Sequence, residues 1–272
     1  MFAVFPVVFP GVRCVLKVLA IALNTFREAV RDRVLYNLVA FVLLLIGAAL
    51  IFSQASLGQE ARIITDAGLS AVRLFGLAIA IFIGVGLVYK EIEKRTVLIL
   101  LSKPLRRSQF ILGKYFGLCL TLLVNTAVMT AALTLALLYA QSALTPLQAR
   151  LWPVAYLLWL ELLVMTAWAL LFSSFSTPML SALFTVLLFI LGNWAADLKL
   201  FAETASSWFA RALCRVLYHI VPNLPDFNFI APLAHGQSVP PKLIAGATVY
   251  AALYISALLA LTVLIFERRN FK

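Results

Sequence analysis

The sequence predicts an all-α integral membrane protein built on six transmembrane helices, and three observations carry that reading. Apolar residues make up 64% of the 272-residue chain and charged residues only 12%, too few charges to cover a water-soluble domain of this size. The apolar residues are gathered into runs of the length, about 20 residues, that crosses the hydrocarbon core. The net charge of +11 is pooled beside those runs, as expected when Lys and Arg are retained on one side of a bilayer.

The chain divides into residues 1–33, an N-terminal interfacial segment; 34–266, a single six-span domain; and 267–272, a short tail. The N-terminus opens "MFAVFPVVFPGVRCVLK", with apolar residues ahead of the first positive charge. A secretory signal has the opposite order, so no cleaved peptide is expected. In "VLKVLAIALNTFREAVRDR", Leu19, Leu23, Phe26 and Val30 recur at helical spacing, while Lys17, Asn24, Glu28 and Arg31 share another side. That pattern predicts an amphipathic helix in the headgroup region, ending at Arg33 where the first span begins. A seventh span through this segment would put Arg13 and Lys17 in lipid and reverse the side of every later loop.

The six spans are expected at about 34–53, 72–89, 117–140, 152–172, 178–195 and 243–266. An even number puts both termini on one side. That side holds Arg13, Lys17, Arg27, Arg31 and Arg33, then Lys90, Lys94, Arg95, Lys103, Arg106, Arg107 and Lys114 after the second span, then Arg268, Arg269 and Lys272. Together these are 15 of the 22 basic residues. The other side has Arg62, Arg73, Arg150, Lys199, Arg211, Arg215 and Lys242. The asymmetry places both termini and the 90–114 loop in the cytoplasm. Nucleic acid is thereby excluded as the reason for the basic charge.

The connector over 196–242 is the longest piece expected outside the membrane. In "SSWFARALCRVLYHI", Phe209, Leu213, Val216 and Ile220 share one face and Arg211, Arg215 and His219 another, which predicts a short helix on the outer leaflet. "VPNLPDFN" follows, where two prolines, two asparagines and an aspartate favour a turn.

The densest positive charge lies in "KEIEKRTVLILLSKPLRRSQFILGK", residues 90–114. Its apolar centre, 96–101, is too short to cross a membrane. "SKP" breaks the helix, because the residue before a proline is pushed out of helical geometry, and Ser108 can cap a restart. The product is a short helix between charged brackets, whose apolar face must be covered by the membrane surface or by a groove on a partner.

This pattern resembles the cytoplasmic loop of ABC-2-type transporter permeases, which reads Glu, basic residues, Thr, an apolar run, Ser, Pro, Arg, then Gly-Lys. The matching positions are Glu91, Glu93, Lys94, Arg95, Thr96, Leu98, Leu100, Leu101, Ser102, Pro104, Arg107, Gly113 and Lys114. Arg95 stands where the family often has Gly. The resemblance extends to "TFREAVRDR" before the first span, with Phe26, Val30, Arg31 and Arg33, to the six-span order, and to Pro222, Asn223, Leu224 and Phe227 before the last span. It implies that the loop is a coupling helix seated in a cleft of a separate ATPase subunit. It also implies two ATPase copies, a second permease copy or a homologous permease, and transport outward. Membrane lipid surrounds the assembly, and an extracytoplasmic accessory protein would fit beside it.

No G-x-x-x-x-G-K-[ST] occurs, so the chain has no phosphate cradle and is not itself an enzyme. ATP and Mg would belong to the partner. "SLGQE", residues 56–60, echoes an ATPase motif by chance, with no nucleotide domain around it. The three cysteines, Cys14, Cys119 and Cys214, lack metal or disulfide spacing. His219 and His235 have no Cys or carboxylate at ligand spacing.

Glu161 is the one carboxylate inside a span, and a charge at that depth seldom faces lipid. It is either a polar spot on a pathway, a proton site included, or a carboxyl bonded to a neighbouring span, near Asn125 or Thr185 for instance. Gly76, Ala80 and Gly84 repeat small residues every four positions, and Gly117, Thr121 and Asn125 form a similar face on the third span. Either face could close a helix seam, a dimer interface or a pathway. Two other functions remain open on the residues alone: a proton-coupled carrier using Glu161, and a membrane scaffold without transport. Interrupted spans or inverted repeats would mark the former, and neither is evident.

Overall fold

The computed structural model describes residues 10–53, 60–93, 107–141, 146–204, 207–208, 211–212, 214–215 and 220–268. Among them every regular element is helical. In chain order these are α1 (Pro10–Val30), α2 (Arg33–Ser53), α3 (Glu60–Glu93), α4 (Arg107–Gln141), α5 (Pro146–Phe175), α6 (Pro178–Asn193) and α7 (Ala195–Thr204). A 3₁₀ turn (Leu224–Phe227), α8 (Ile230–Ala234) and α9 (Pro241–Arg268) follow. In lipid a helix satisfies its backbone polar groups internally, which is why long apolar runs take this form.

Four helices are long and apolar enough to cross a bilayer: Glu60–Gly86, Ser108–Gln141, Pro146–Phe175 and Pro241–Phe266. The apolar α6 has 16 residues, about 24 Å of rise, and α2 has 21. The chain is thus an all-α, multi-pass membrane protein.

Helices outrun the apolar windows that announce them. The second span, expected at 72–89, is the middle of a 34-residue helix that starts at Glu60. The first turns of α3 carry exposed Arg62, Asp66 and Ser70, so the helix persists into a polar zone where hydropathy alone reads a loop. The third span likewise sits inside the 35-residue α4.

α5 is the centre of the bundle. Every residue from 160 to 171 is buried, and α3, α4, α6 and α9 all pack against it. Lipid tails are as apolar as leucine, so the bundle is held by close packing and interhelical polar contacts, without a hydrophobic drive between spans. Small residues make the packing close. A Cβ on Gly76 would sit 2.6 Å from Leu162 Cδ1, and one on Gly84 would touch Ala169 Cβ at 3.6 Å. With Ala80 1% exposed, the Gly76–Ala80–Gly84 face is a seam between α3 and α5. Several hydroxyls along the spans bond back to their own helix, as Thr166 does to Leu162 O and Thr262 to Leu258 O, both at 2.7 Å.

The N-terminal helix docks instead of lying free. Ala22, Thr25 and Ala29 are buried, and the backbone of α1 comes so near α4 that a Cβ on Gly117 would fall 2.6 Å from Ala22 O. Gly113 lies under Ile21 in the same way, where a Cβ added to it would fall 2.6 Å from Ile21 Cβ. The face expected to be apolar, Leu19, Leu23, Phe26 and Val30, is turned one residue away from this contact. Leu19 and Leu23 are exposed there, while Phe26 and Val30 are half-buried.

The connector between α6 and α9 folds back into the bundle. Its turn buries Leu224 and Phe227 completely, with Leu224 filling the space beside Gly192. Two tyrosines of α9 hold the backbone of the turn: Tyr250 Oη accepts from Asn223 N at 3.0 Å, and Tyr254 Oη donates to Ile220 O at 2.6 Å. A turn was legible in "VPNLPDFN", but its burial was not. The helix expected over 206–220 falls largely outside the described residues.

Candidate functional site

Two regions carry the chemistry, one at each end of α3. At the first end, Glu91 and Glu93 lie in the last turn of α3 and Arg107 opens α4. Arg95, Thr96, Leu98, Leu100, Leu101, Ser102 and Pro104, the centre of the expected coupling element, lie outside the described residues.

What receives that stretch is described. α3 and α4 pack together, and α1 packs on α4. Lys114 Nζ, nearly buried, lies 3.5 Å from Glu28 Oε2 of α1 and 5.8 Å from the Phe110 ring. Phe110 stacks on Phe266 near the end of α9, centroids 6.3 Å apart. The root of α4 therefore touches α1, α3 and α9 within about three turns. Arg31 is exposed in the break between α1 and α2, and Arg33 starts α2.

Toward the other end is a buried ion pair. Arg73 Nε donates to both oxygens of Glu161, 2.9 Å to Oε2 and 3.1 Å to Oε1, and Nη2 donates to Oε1 at 2.5 Å. Such a fork is accepted by an ionised carboxylate. Nη2 also donates to Asn193 Oδ1 at 2.6 Å, and Asn193 Nδ2 donates to Phe189 O at 2.8 Å. The guanidinium carbon stands 5.0 Å from the centroid of Phe189. Glu161 is fully buried and the Arg73 side chain is 14% exposed. One residue each from α3, α5 and α6 is thus joined at one point.

This corrects the sequence-based placement of Arg73 among the loop charges of the far side. It stands inside a membrane-crossing helix and is the partner of Glu161. The partners considered for Glu161 are engaged elsewhere or idle: Thr185 Oγ1 donates to Ser181 O at 2.7 Å, and Asn125 Nδ2 is buried without a partner among the described residues. Thr121 Oγ1 donates to Gly117 O at 2.9 Å, within its own helix. Thr121 and Asn125 thus sit in the packed body of α4, away from the ion pair. A lone cation at the edge of one apolar run and a lone carboxylate inside another were the available signal for Arg73 and Glu161.

Beside the ion pair, α3, α6 and the segment running into α8 line an open cavity of about 370 Å³, with Arg73 in its wall. Asp66 and Ser70, one and two turns before Arg73, line it together with Leu74, Phe189 and Asn228. Further out, Arg62 Nη2 lies 3.0 Å from His235 Nε2, and Arg150 Nη1 donates to Gly236 O at 2.7 Å. These contacts pin the end of α8 to α3 and α5.

Comparison with curated proteins gives no match. Comparison with protein-family models matches residues 19–271 to the ABC-2 family transporter proteins. That match runs from α1 through the 90–114 stretch to the tail, and the helical bundle agrees with it: the chain belongs to the ABC-2 transporter family and is a membrane permease of that kind.

Proposed function

We propose that the chain is the permease subunit of an ATP-driven exporter and takes its drive from a separate ATPase docked on 91–107. The match over residues 19–271 is the observation that carries this reading. The packing at the root of α4 supports it. A push on the 94–106 segment would reach α3 through Glu91 and Glu93 and α4 through Arg107, and α1 and α9 are fastened to α4 there. A docked partner can shift these helices only as far as its affinities for the two states differ.

In this reading the six spans are α2 to α6 and α9, with both termini and the coupling stretch in the cytoplasm of a bacterial inner membrane. Two permease copies and two ATPase subunits make the unit, with ATP and Mg held by the ATPases. Thr96, Leu98, Leu100 and Leu101 supply the apolar docking face, Arg95, Ser102 and Pro104 its boundaries. Phe26, Val30, Arg31 and Arg33 form the entry that carries α1 into the first span. Glu161 spends both carboxylate oxygens on Arg73, which favours a fixed joint over a proton carrier.

The test is purification of the assembly from its own membrane. An ATPase is expected at one copy per permease, and Leu100→Asp is expected to release it while the permease stays folded. An assembly without an ATPase, or one that keeps it fully active after Leu100→Asp, would overturn the proposal.

A further inference from the structure

The cavity beside Arg73 has a chemistry that the transport reading leaves unused. Three hydrogen-bond donors of its lining residues have no partner among the described residues. Arg73 spends Nε and Nη2 on Glu161 and Asn193, which leaves both N–H groups of Nη1. Asn228 Oδ1 accepts from Ile230 N at 3.3 Å, which leaves its Nδ2, and the Ser70 hydroxyl completes the set. Donors so placed call for an anionic oxygen group.

The net charge calls for something else as well. Glu161 already balances Arg73, so Asp66 leaves the wall one negative charge in excess. A plain anion would meet that excess, and a plain cation would meet the guanidinium over Phe189, the one aromatic face in the wall. A group carrying both charges satisfies both ends. Asp66 and Arg73 are seven residues apart on α3, about 10 Å of rise, and a long helical side chain leans toward the N-terminus. Asp66 and the guanidinium therefore lie on one face of α3 about two turns apart, with Ser70 between them.

The remaining wall says where such a group comes from. Leu74 is 59% exposed on a membrane-crossing helix, so the apolar wall of the cavity runs on into the lipid-facing surface. An amphiphile could seat its head against Arg73, Ser70 and Asn228 and lay its chains past Leu74.

We propose that this cavity binds a zwitterionic phospholipid head, an ammonium joined to a phosphate through a two-carbon bridge as in phosphatidylethanolamine. The phosphate sits at Arg73, Ser70 and Asn228, and the ammonium at Asp66. The site is independent of cargo and of any ATPase.

The experiment uses the purified full-length protein in detergent, titrated with phosphatidylethanolamine or phosphatidylglycerol and read by native mass spectrometry. The wild type is expected to hold phosphatidylethanolamine about tenfold tighter than phosphatidylglycerol, a difference of about 1.4 kcal/mol. Asp66→Asn, at an exposed position, is expected to bring the ratio near one. Asp197→Asn makes the same charge change outside the cavity and is expected to leave the ratio alone. Ser70→Phe, which fills the cavity, is expected to lower occupancy by both lipids. Equal affinities in the wild type, or an unchanged preference in Asp66→Asn, would overturn the proposal. Soluble phosphoethanolamine at the same concentration separates the sources: occupancy equal to the lipid's would make the ligand a free small molecule and overturn the lipid assignment.

Discussion

Arg73 and Glu161 show what a buried charge does once it has a partner. Taking one charge out of water is expensive, and removing its partner leaves that cost uncompensated. Arg73→Met or Glu161→Leu alone is expected to cost about 3–5 kcal/mol, and the double variant to recover most of it. Unfolding of the purified protein in mixed micelles checks this; single variants as stable as the wild type would show that the pair contributes nothing. Half of the pair was legible in the sequence. Glu161 stands in an unbroken apolar run, "LLWLELLVMT", where a carboxylate demands an explanation. Arg73 follows a polar stretch, and nothing in a one-dimensional pattern separates a cation just outside a span from one just inside it. Only the continuation of α3 back to Glu60 turns it inward.

Among the elements, the contact of α1 with α4 is set by two glycines and is correspondingly unforgiving. A methyl at position 117 meets the backbone oxygen of Ala22 at 2.6 Å and Thr25 Cβ at 2.5 Å, and backbone cannot rotate away as a side chain can. Gly117→Ala is therefore expected to push α1 off α4 and lower the thermal midpoint by several degrees. Gly47→Ala, where nothing lies within 4 Å, is expected to be neutral or to stabilise by up to about 1 kcal/mol through helix propensity. Melting curves of both variants decide it; equal midpoints would mean that α1 tolerates displacement. The helix itself was plain from its periodicity, and so were the small-residue faces of α3 and α4. The partner of each face was not, because spacing shows that a side can be approached closely without saying by what. The leucines of α1 misled for a related reason: in lipid the larger apolar residues are free to face outward while small ones mate with the neighbour.

At the level of the whole molecule, the all-helical membrane fold and the family were legible from composition, span order and the 90–114 pattern. The buried turn at Leu224–Phe227 was not, since its prolines and asparagines read as solvent-exposed loop. The proposed orientation has a direct check. In a background lacking Cys14, Cys119 and Cys214, Gln237→Cys should react with an impermeant maleimide added to intact cells. Leu100→Cys should react only after permeabilisation, and the reverse pattern would invert the topology. The position of α5 reaches further than its packing. Buried at every position between residues 160 and 171, it stands where a pipe would need its bore. Among the described residues the middle of α5 leaves no room for a lumen, so in the proposed transport reading cargo would travel along the outer flank of this bundle, with lipid or a second subunit as the opposite bank.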